Sequence, residues 1–97
     1  MRVRFLDVAQ QELDDAVGWY NGREKDLGLL FLDEIDRTVR RILTFPLAST
    51  EIDDGIRRGL VARFPYAIIY GIDGELIIVI AIAHLHRRPH YWADRLF

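Results

Sequence analysis

The chain has 97 residues, 51% of them hydrophobic and 29% charged, with a formal net charge of −2 and no cysteine. This predicts a single domain, residues 1–97, with one modest core. The lack of cysteine excludes disulfides and thiolate metal sites, and we expect a cytoplasmic protein. No long apolar signal region opens the chain, and its longest apolar run is too short to span a bilayer, so no membrane association is expected.

The two halves of the chain differ in charge. Residues 1–54 carry seven Lys/Arg and twelve Asp/Glu, a balance of −5, whereas residues 55–97 carry six Arg and three acids, a balance of +3. Arginine favours planar, bidentate contacts with carboxylates, phosphates and bases. The second half therefore indicates either a surface for such groups or ordinary solvated edges of the fold.

The first half of the chain predicts one strand and two helices. Alternating polar and apolar residues predict a short strand over Arg2–Leu6. Asp7 suits the N-cap of a helix that runs to about Arg23, and its apolar residues recur at helical spacing. Trp19 flanks that apolar stripe, and we interpret it as packing between two helices. A second amphipathic helix is predicted over Leu27–Thr44, and the short connection makes an antiparallel hairpin.

The second half of the chain predicts a loop and three strands. Pro46–Gly55 has the composition of a loop, and Ile56–Phe64 has that of a strand. Tyr66–Ile72 predicts the next strand, and the Asp73-Gly74 pair after it signals a tight hairpin. Glu75–Leu85 is apolar on both faces and is expected to lie centrally in the sheet.

Counting the chain reversals predicts the topology. Two helices and two tight turns would leave the last strand antiparallel to the first, with the last strand in the middle of the sheet. The predicted fold class is α+β, in the order β-α-α-β-β-β, with the helical hairpin packed on one face of a small antiparallel sheet.

The most distinctive stretch is Ala83–Arg95, which directly follows the most apolar run and contains three His, three Arg, a Tyr and a Trp. His84 and His86 would project from one face of a strand, a spacing compatible with metal ligands. No cysteine and no carboxylate other than Asp94 lies near them to complete a site. We therefore predict no metal site and no cofactor.

Two uses of this stretch remain open from residue types alone. Metal-free RNA cleavage needs a base, a cation for the phosphorane and a donor to the leaving oxygen. His84 or His86, Tyr91 and an arginine such as Arg63 would supply these groups. Arginines beside aromatic residues are also typical of protein-interaction hot spots.

The motifs, taken in order along the chain, resemble those of the RelE/ParE superfamily of bacterial type II toxins. The resemblance covers nearly the whole chain and rests on Ala9-x-x-Glu12-Leu13-x-x-Ala16-x-x-Trp19-Tyr20, Leu27-Gly28-x-x-Phe31-x-x-Glu34-Ile35, Ile42-x-x-x-Pro46, Arg57-Arg58, Arg63-Phe64-Pro65-Tyr66-x-Ile68-x-Tyr70 and Ala81-x-x-His84-x-x-Arg87-x-Pro89-x-Tyr91-Trp92. The Phe-Pro-Tyr element and the last motif are most similar to the ParE branch.

The resemblance implies a growth-inhibiting toxin in a hetero-oligomer with a cognate antitoxin, of the kind associated with plasmid stabilization. The antitoxin would meet the arginines with acids and place apolar anchors in grooves of the helical hairpin or at a sheet edge. ParE-branch members are associated with poisoning DNA gyrase, whereas RelE-branch members cut mRNA in the ribosome. The single lysine, Lys25, and the absence of Glu from the second and third predicted strands favour the ParE branch and a non-enzymatic toxin.

These implications assign candidate residues to each branch. A ribonuclease would use His84, Tyr91 and Arg63. A ParE-like inhibitor would contact its target through seven residues of the second half: Arg57, Arg58, Arg87, Arg88, Tyr91, Trp92 and Arg95. For Tyr91 and Trp92 there is a second prediction, in which they pack back on the sheet and stabilise the fold instead of contacting a target.

Overall fold

The computed structural model describes residues 1–96, which form two helices and a five-stranded sheet. In chain order the elements are β1 (Arg2–Phe5), α1 (Asp7–Arg23), α2 (Leu27–Thr44), β2 (Thr50–Asp53), β3 (Ile56–Leu60), β4 (Tyr66–Asp73) and β5 (Leu76–His84), followed by a 3₁₀ turn at Ala93–Arg95. Within this part of the chain neither long helix is apolar enough to cross a membrane.

The α+β class and the helical hairpin on one sheet face are confirmed, but the predicted sheet topology is wrong. The strand order is β1-β5-β4-β3-β2, and β1 pairs with β5 in parallel, not antiparallel. The remaining neighbours are antiparallel, so the sheet is mixed. The last strand does lie inside the sheet, between β1 and β4, as its two apolar faces predict.

The parallel pairing follows from a strand that the sequence did not indicate. The stretch predicted as a loop, Pro46–Gly55, contains β2, which forms a hairpin with β3. This hairpin turns at Gly55, whose φ is 72°, and it adds one reversal to the path, which brings the last strand parallel to the first. Strand β2 has only four residues, TEID, and its side chains are mostly exposed, so no apolar alternation marked it.

The start of α1 and the end of β3 also differ from the prediction. Asp7 is the first residue of α1, and Leu6 occupies the N-cap without a side-chain cap. Asp7 still lies in the first turn, where its charge complements the helix dipole. Strand β3 ends at Leu60 rather than Phe64 because the chain turns there, with Arg63 at a φ of 70°.

The sheet has an apolar core on each face. On the helix side, Phe31 and Tyr70 are fully buried. On the other side, Ile69 and Ala83 are buried under Trp92, so the C-terminal segment (residues 85–96) folds back over this face. The two cores together hold the end of β5 between α1 and the C-terminal segment.

The two helices are in close contact at Gly28. A β-carbon there would lie 2.4 Å from the carbonyl oxygen of Val17 and 2.7 Å from the Asn21 side chain. Asn21 Oδ1 also accepts a hydrogen bond from the Gly28 N–H at 2.8 Å. A side chain at this position would therefore push α2 away from α1.

We expect Gly28→Ala to lower the free energy of unfolding by about 1–3 kcal/mol because it overpacks this contact. Gly18→Ala is the matched control, since a β-carbon at Gly18 meets nothing within 4 Å. In helix α1 this control should be stabilising by about 0.5–1 kcal/mol. Urea unfolding of both variants gives the test, and equal effects of the two would contradict it.

Candidate functional site

The C-terminal segment and the sheet beneath it enclose a groove of about 220 Å³. Its floor is small and apolar, formed by Trp92 together with Ala67, Ile69 and Ala83. Its rim is basic, and no carboxylate of the described residues lines it. We call the whole groove the cationic groove. The basic side chains of its rim are Arg58, His84, Arg87, Arg88 and His90.

Three arginines give the cationic groove its charge. Arg58 comes from β3, whereas Arg87 and Arg88 follow β5, so the fold joins residues 29 or more positions apart. Within residues 1–96, the ion pairs involve none of these three guanidinium groups. Arg87 lies over the Tyr91 ring, with its guanidinium carbon 4.0 Å from the ring centroid. The groove therefore presents uncompensated positive charge over an apolar floor.

A carboxylate of α1 holds the C-terminal segment in place. Glu12 Oε2 accepts hydrogen bonds from the Tyr91 hydroxyl at 2.6 Å and from Arg95 Nη2 at 3.1 Å. Glu12 Oε1 accepts from Arg95 Nη1 at 2.8 Å and from the Ile82 N–H at 3.1 Å. Arg95 Nη1 also donates to the Ile80 carbonyl at 3.0 Å. We call this network the Glu12 clamp.

The Glu12 clamp occupies the part of the β5 edge that β1 does not reach. Strand β1 pairs with β5 from Leu76 to Val79, and the β5 edge beyond that point has no neighbouring strand. Beyond Val79, the Ile82 N–H donates to Glu12 and the Ile80 carbonyl accepts from Arg95. Because buried backbone groups need partners, the clamp completes the sheet as well as fastening the segment.

Two members of the clamp have shifted pKa values. Burial raises the pKa of the Tyr91 phenol well above its usual value, and the hydrogen bond to Glu12 raises it further. The hydrogen bond to Glu12 likewise raises the pKa of the Arg95 guanidinium. Tyr91 therefore stays neutral and Arg95 stays charged at any physiological pH.

The comparisons with known proteins agree with this architecture. Residues 3–89 match the family model described as the ParE toxin of a type II toxin-antitoxin system, parDE. The chain belongs to the ParE toxin family. The resemblance to the RelE/ParE superfamily and to its ParE branch is thus confirmed. No curated protein sequence is significantly similar to the chain.

A solved structure shares the fold of this ParE-family toxin. A chain from a structure of the chromosomal ParDE TA system of P. aeruginosa superposes with a TM-score of 0.77 at 17% sequence identity. The match covers 89% of this chain and 97% of that chain. At this identity the likeness establishes the fold, and the residues of the site must be argued from this toxin itself.

The seven residues predicted for target binding are divided by the structure. Five of them line the cationic groove, namely Arg58, Arg87, Arg88, Tyr91 and Trp92. Tyr91 and Arg95 belong to the Glu12 clamp, and Trp92 is 3% exposed, in the core beneath the segment. Arg57 donates to the carbonyls of Leu47 and Ser49 and so fastens the loop before β2.

The ribonuclease candidates are also divided. His84 and Tyr91 both line the cationic groove, but Arg63 does not. Arg63 borders a different groove beside α2, where its Nε lies 4.0 Å from Glu34. Among the described residues, no group of three or more His, Cys, Asp or Glu is placed to bind a metal ion.

The sequence prediction missed the central residue of the site and misjudged another. Glu12 lies on the buried face of α1, one turn from Ala9 and Ala16, and a carboxylate within an apolar stripe was a signal for a buried partner. That partner, Arg95, is 83 positions away. Trp19 was interpreted as packing between the helices, but its side chain is 57% exposed, and that interpretation is wrong.

Proposed function

We propose that this ParE-family toxin inhibits growth by binding DNA gyrase, without cleaving RNA itself. The family match over residues 3–89 supports a toxin, and the arginines of the cationic groove, which form no ion pair within residues 1–96, support a contact surface. Exposed arginines over an apolar floor are typical of interaction hot spots. The main support for this proposal is the cationic groove, which concentrates positive charge but holds no pair of side chains free to act as general base and general acid.

In this proposal the seven predicted target-binding residues act in two ways. Arg58, Arg87 and Arg88 contact the target directly. Tyr91 holds Arg87 by stacking, and the other members of the set, Arg57, Trp92 and Arg95, keep the surface in shape through the contacts described above. Three residues of the set thus form the contact surface, and the other four hold that surface in position.

Cleavage of mRNA in the ribosome, the alternative function, has weaker support from the geometry. His84 Nδ1 accepts the backbone N–H of His86 at 3.0 Å, which places the proton of the neutral ring on Nε2. A ring in this state has no free lone pair to accept the proton of a 2′-hydroxyl. The Tyr91 hydroxyl donates its hydrogen bond to Glu12, and its raised pKa makes Tyr91 a poor acid.

The proposal includes a cognate antitoxin that neutralises the toxin in a cytoplasmic hetero-oligomer. Support comes from the family, which is defined by type II toxin-antitoxin systems. It also comes from the positive charge of the cationic groove, which favours a partner that brings carboxylates. In plasmids such a pair would act in plasmid stabilization.

Purified toxin is expected to inhibit supercoiling by purified gyrase and to trap a cleavage complex. The double variant Arg58→Ala/Arg88→Ala should need about tenfold more protein for the same inhibition, since each arginine contributes a contact and neither supports the fold. Arg40→Ala is the control, because Arg40 is exposed on α2 and pairs with Asp36.

Undisturbed supercoiling at toxin concentrations that arrest growth would contradict the proposal. Primer extension on mRNA after induction then tests the alternative. New 5′ ends at fixed codon positions would favour a ribosome-dependent ribonuclease, and their absence is expected.

A further inference from the structure

A second groove lies on the other side of the end of β5. It has a volume of about 340 Å³ and runs between α1 and β5. We call it the Trp19 groove, after the large aromatic side chain that is 57% exposed at its edge. His84 and Arg87 line both this groove and the cationic groove. The two grooves therefore share a wall and form one path around the end of β5.

The Trp19 groove differs from the cationic groove in chemistry. Ala16 and Ile82 give it a buried apolar base. Trp19 is held in position by Arg23, 4.5 Å from its ring centroid, and by the edge-on ring of Tyr20 at 5.1 Å. A fixed aromatic side chain that remains exposed is suited to an apolar anchor of a partner.

Two acids of α1, Glu12 and Asp15, also line the Trp19 groove. Glu12 already accepts four hydrogen bonds within its clamp. Asp15 accepts one from Gln11 at 2.8 Å on the exposed surface of α1. The path thus changes along its length, from an apolar and aromatic end at Trp19 to a basic end beyond Arg87.

We propose that the two grooves form one docking path for a single segment of the antitoxin. The segment places an acidic residue in the cationic groove, crosses the wall formed by His84 and Arg87, and places an apolar side chain against Trp19. This inference rests on the proposed function for the existence of the antitoxin. Charge complementarity at one end and the exposed tryptophan at the other select a peptide with acids and apolar anchors in fixed order.

A nucleic acid suits the path less well than this peptide. The floor of the cationic groove is apolar, and a phosphate backbone continuing into the Trp19 groove would meet Asp15 and Glu12. A peptide can change from acidic to apolar within a few residues, whereas a phosphate backbone carries its charge along its whole length.

The proposed path has a consequence for neutralisation. An antitoxin segment in the cationic groove would cover Arg58, Arg87 and Arg88, the residues proposed to contact gyrase. Antitoxin and gyrase would then exclude one another by competing for the same arginines, with no change in the fold of the toxin.

Site-specific crosslinking to the cognate antitoxin tests the path. The chain has no cysteine, so single-cysteine variants carry one photo-crosslinker each. Leu85→Cys reports on the cationic groove, Asp15→Cys on the Trp19 groove. Asp73→Cys, at the opposite end of the β4–β5 pair from His84, is the control.

The expected result is that the first two variants crosslink to neighbouring positions of one antitoxin segment. Residues next to acids should be captured from Leu85→Cys and apolar residues from Asp15→Cys, with no product from the control. Crosslinks from the two grooves to unrelated antitoxin regions, or none from a complex that forms, would overturn the path. Failure to form any complex would overturn the proposed antitoxin as well.

Affinity measurements separate the two ends of the path. Arg88→Glu should weaken antitoxin binding at least tenfold and reduce its dependence on salt, because a charge contact is lost. Trp19→Ala should weaken binding to a similar degree with the salt dependence unchanged. Equal affinities for wild type and Trp19→Ala would show that no segment reaches the Trp19 groove.

Discussion

Glu12→Ala is expected to lower the free energy of unfolding by about 3–5 kcal/mol, the cost of breaking a buried ion pair from one side. The Glu12 and Arg95 side chains are 17% and 16% exposed, so solvent screens this pair little. Without the carboxylate, the Arg95 guanidinium loses its counter-charge, and the Tyr91 hydroxyl and the Ile82 N–H lose their acceptor. The C-terminal segment should then detach from α1.

Urea unfolding of wild type and variant measures this loss. Asp33→Ala is the matched control, since the Asp33–Arg37 pair is an exposed ion pair on α2, with side chains 60% and 68% exposed. Such pairs contribute about 0–1 kcal/mol. Glu12→Gln, which keeps the volume and removes the charge, should fall between the two. A Glu12→Ala variant as stable as the control would show that the clamp does not hold the segment.

Trp92→Ala is expected to cost about 3–5 kcal/mol of unfolding free energy because it empties the core under the C-terminal segment. Trp92 is 3% exposed and packs on Ala67, Ile69 and Ala83. A loss of this size is a large fraction of the stability of a small domain, which is about 5–15 kcal/mol. Growth inhibition should fall because folded protein is lost.

Trp19→Ala is the matched control for this loss, since the chain has two tryptophans and Trp19 is 57% exposed. Its stability should stay within about 0.5 kcal/mol of wild type, as for most surface substitutions. Thermal unfolding followed by circular dichroism distinguishes the two variants. If Trp92→Ala kept wild-type stability and lost only target binding, Trp92 would be a contact residue and not a fold-closing one.

The site was predicted in part, and the part that was found is local in sequence. The cluster at the end of β5 was recognised from its composition, and four of its arginine and histidine residues, His84, Arg87, Arg88 and His90, do line one groove. Composition could not separate contact residues from supports. Tyr91, Trp92 and Arg95 differ from their neighbours only in what they meet in the folded chain.

The sequence alone determined those helices and strands whose apolar residues follow a regular spacing. Both helices, Asp7–Arg23 and Leu27–Thr44, end where the apolar spacing predicted, and β5 is interior because both its faces are apolar. Such elements are readable because neighbouring residues share one periodic environment.

Tertiary structure alone decided what depends on partners far apart in the chain. Strand β2 exists because β3 pairs with it, and that one added reversal made β1 parallel to β5. Glu12 is a clamp because Tyr91 and Arg95, 79 and 83 positions away, reach the same edge of β5. The residues near a carboxylate in the sequence do not indicate which distant groups will donate hydrogen bonds to it. The role of Glu12 could therefore be recognised only in the folded structure.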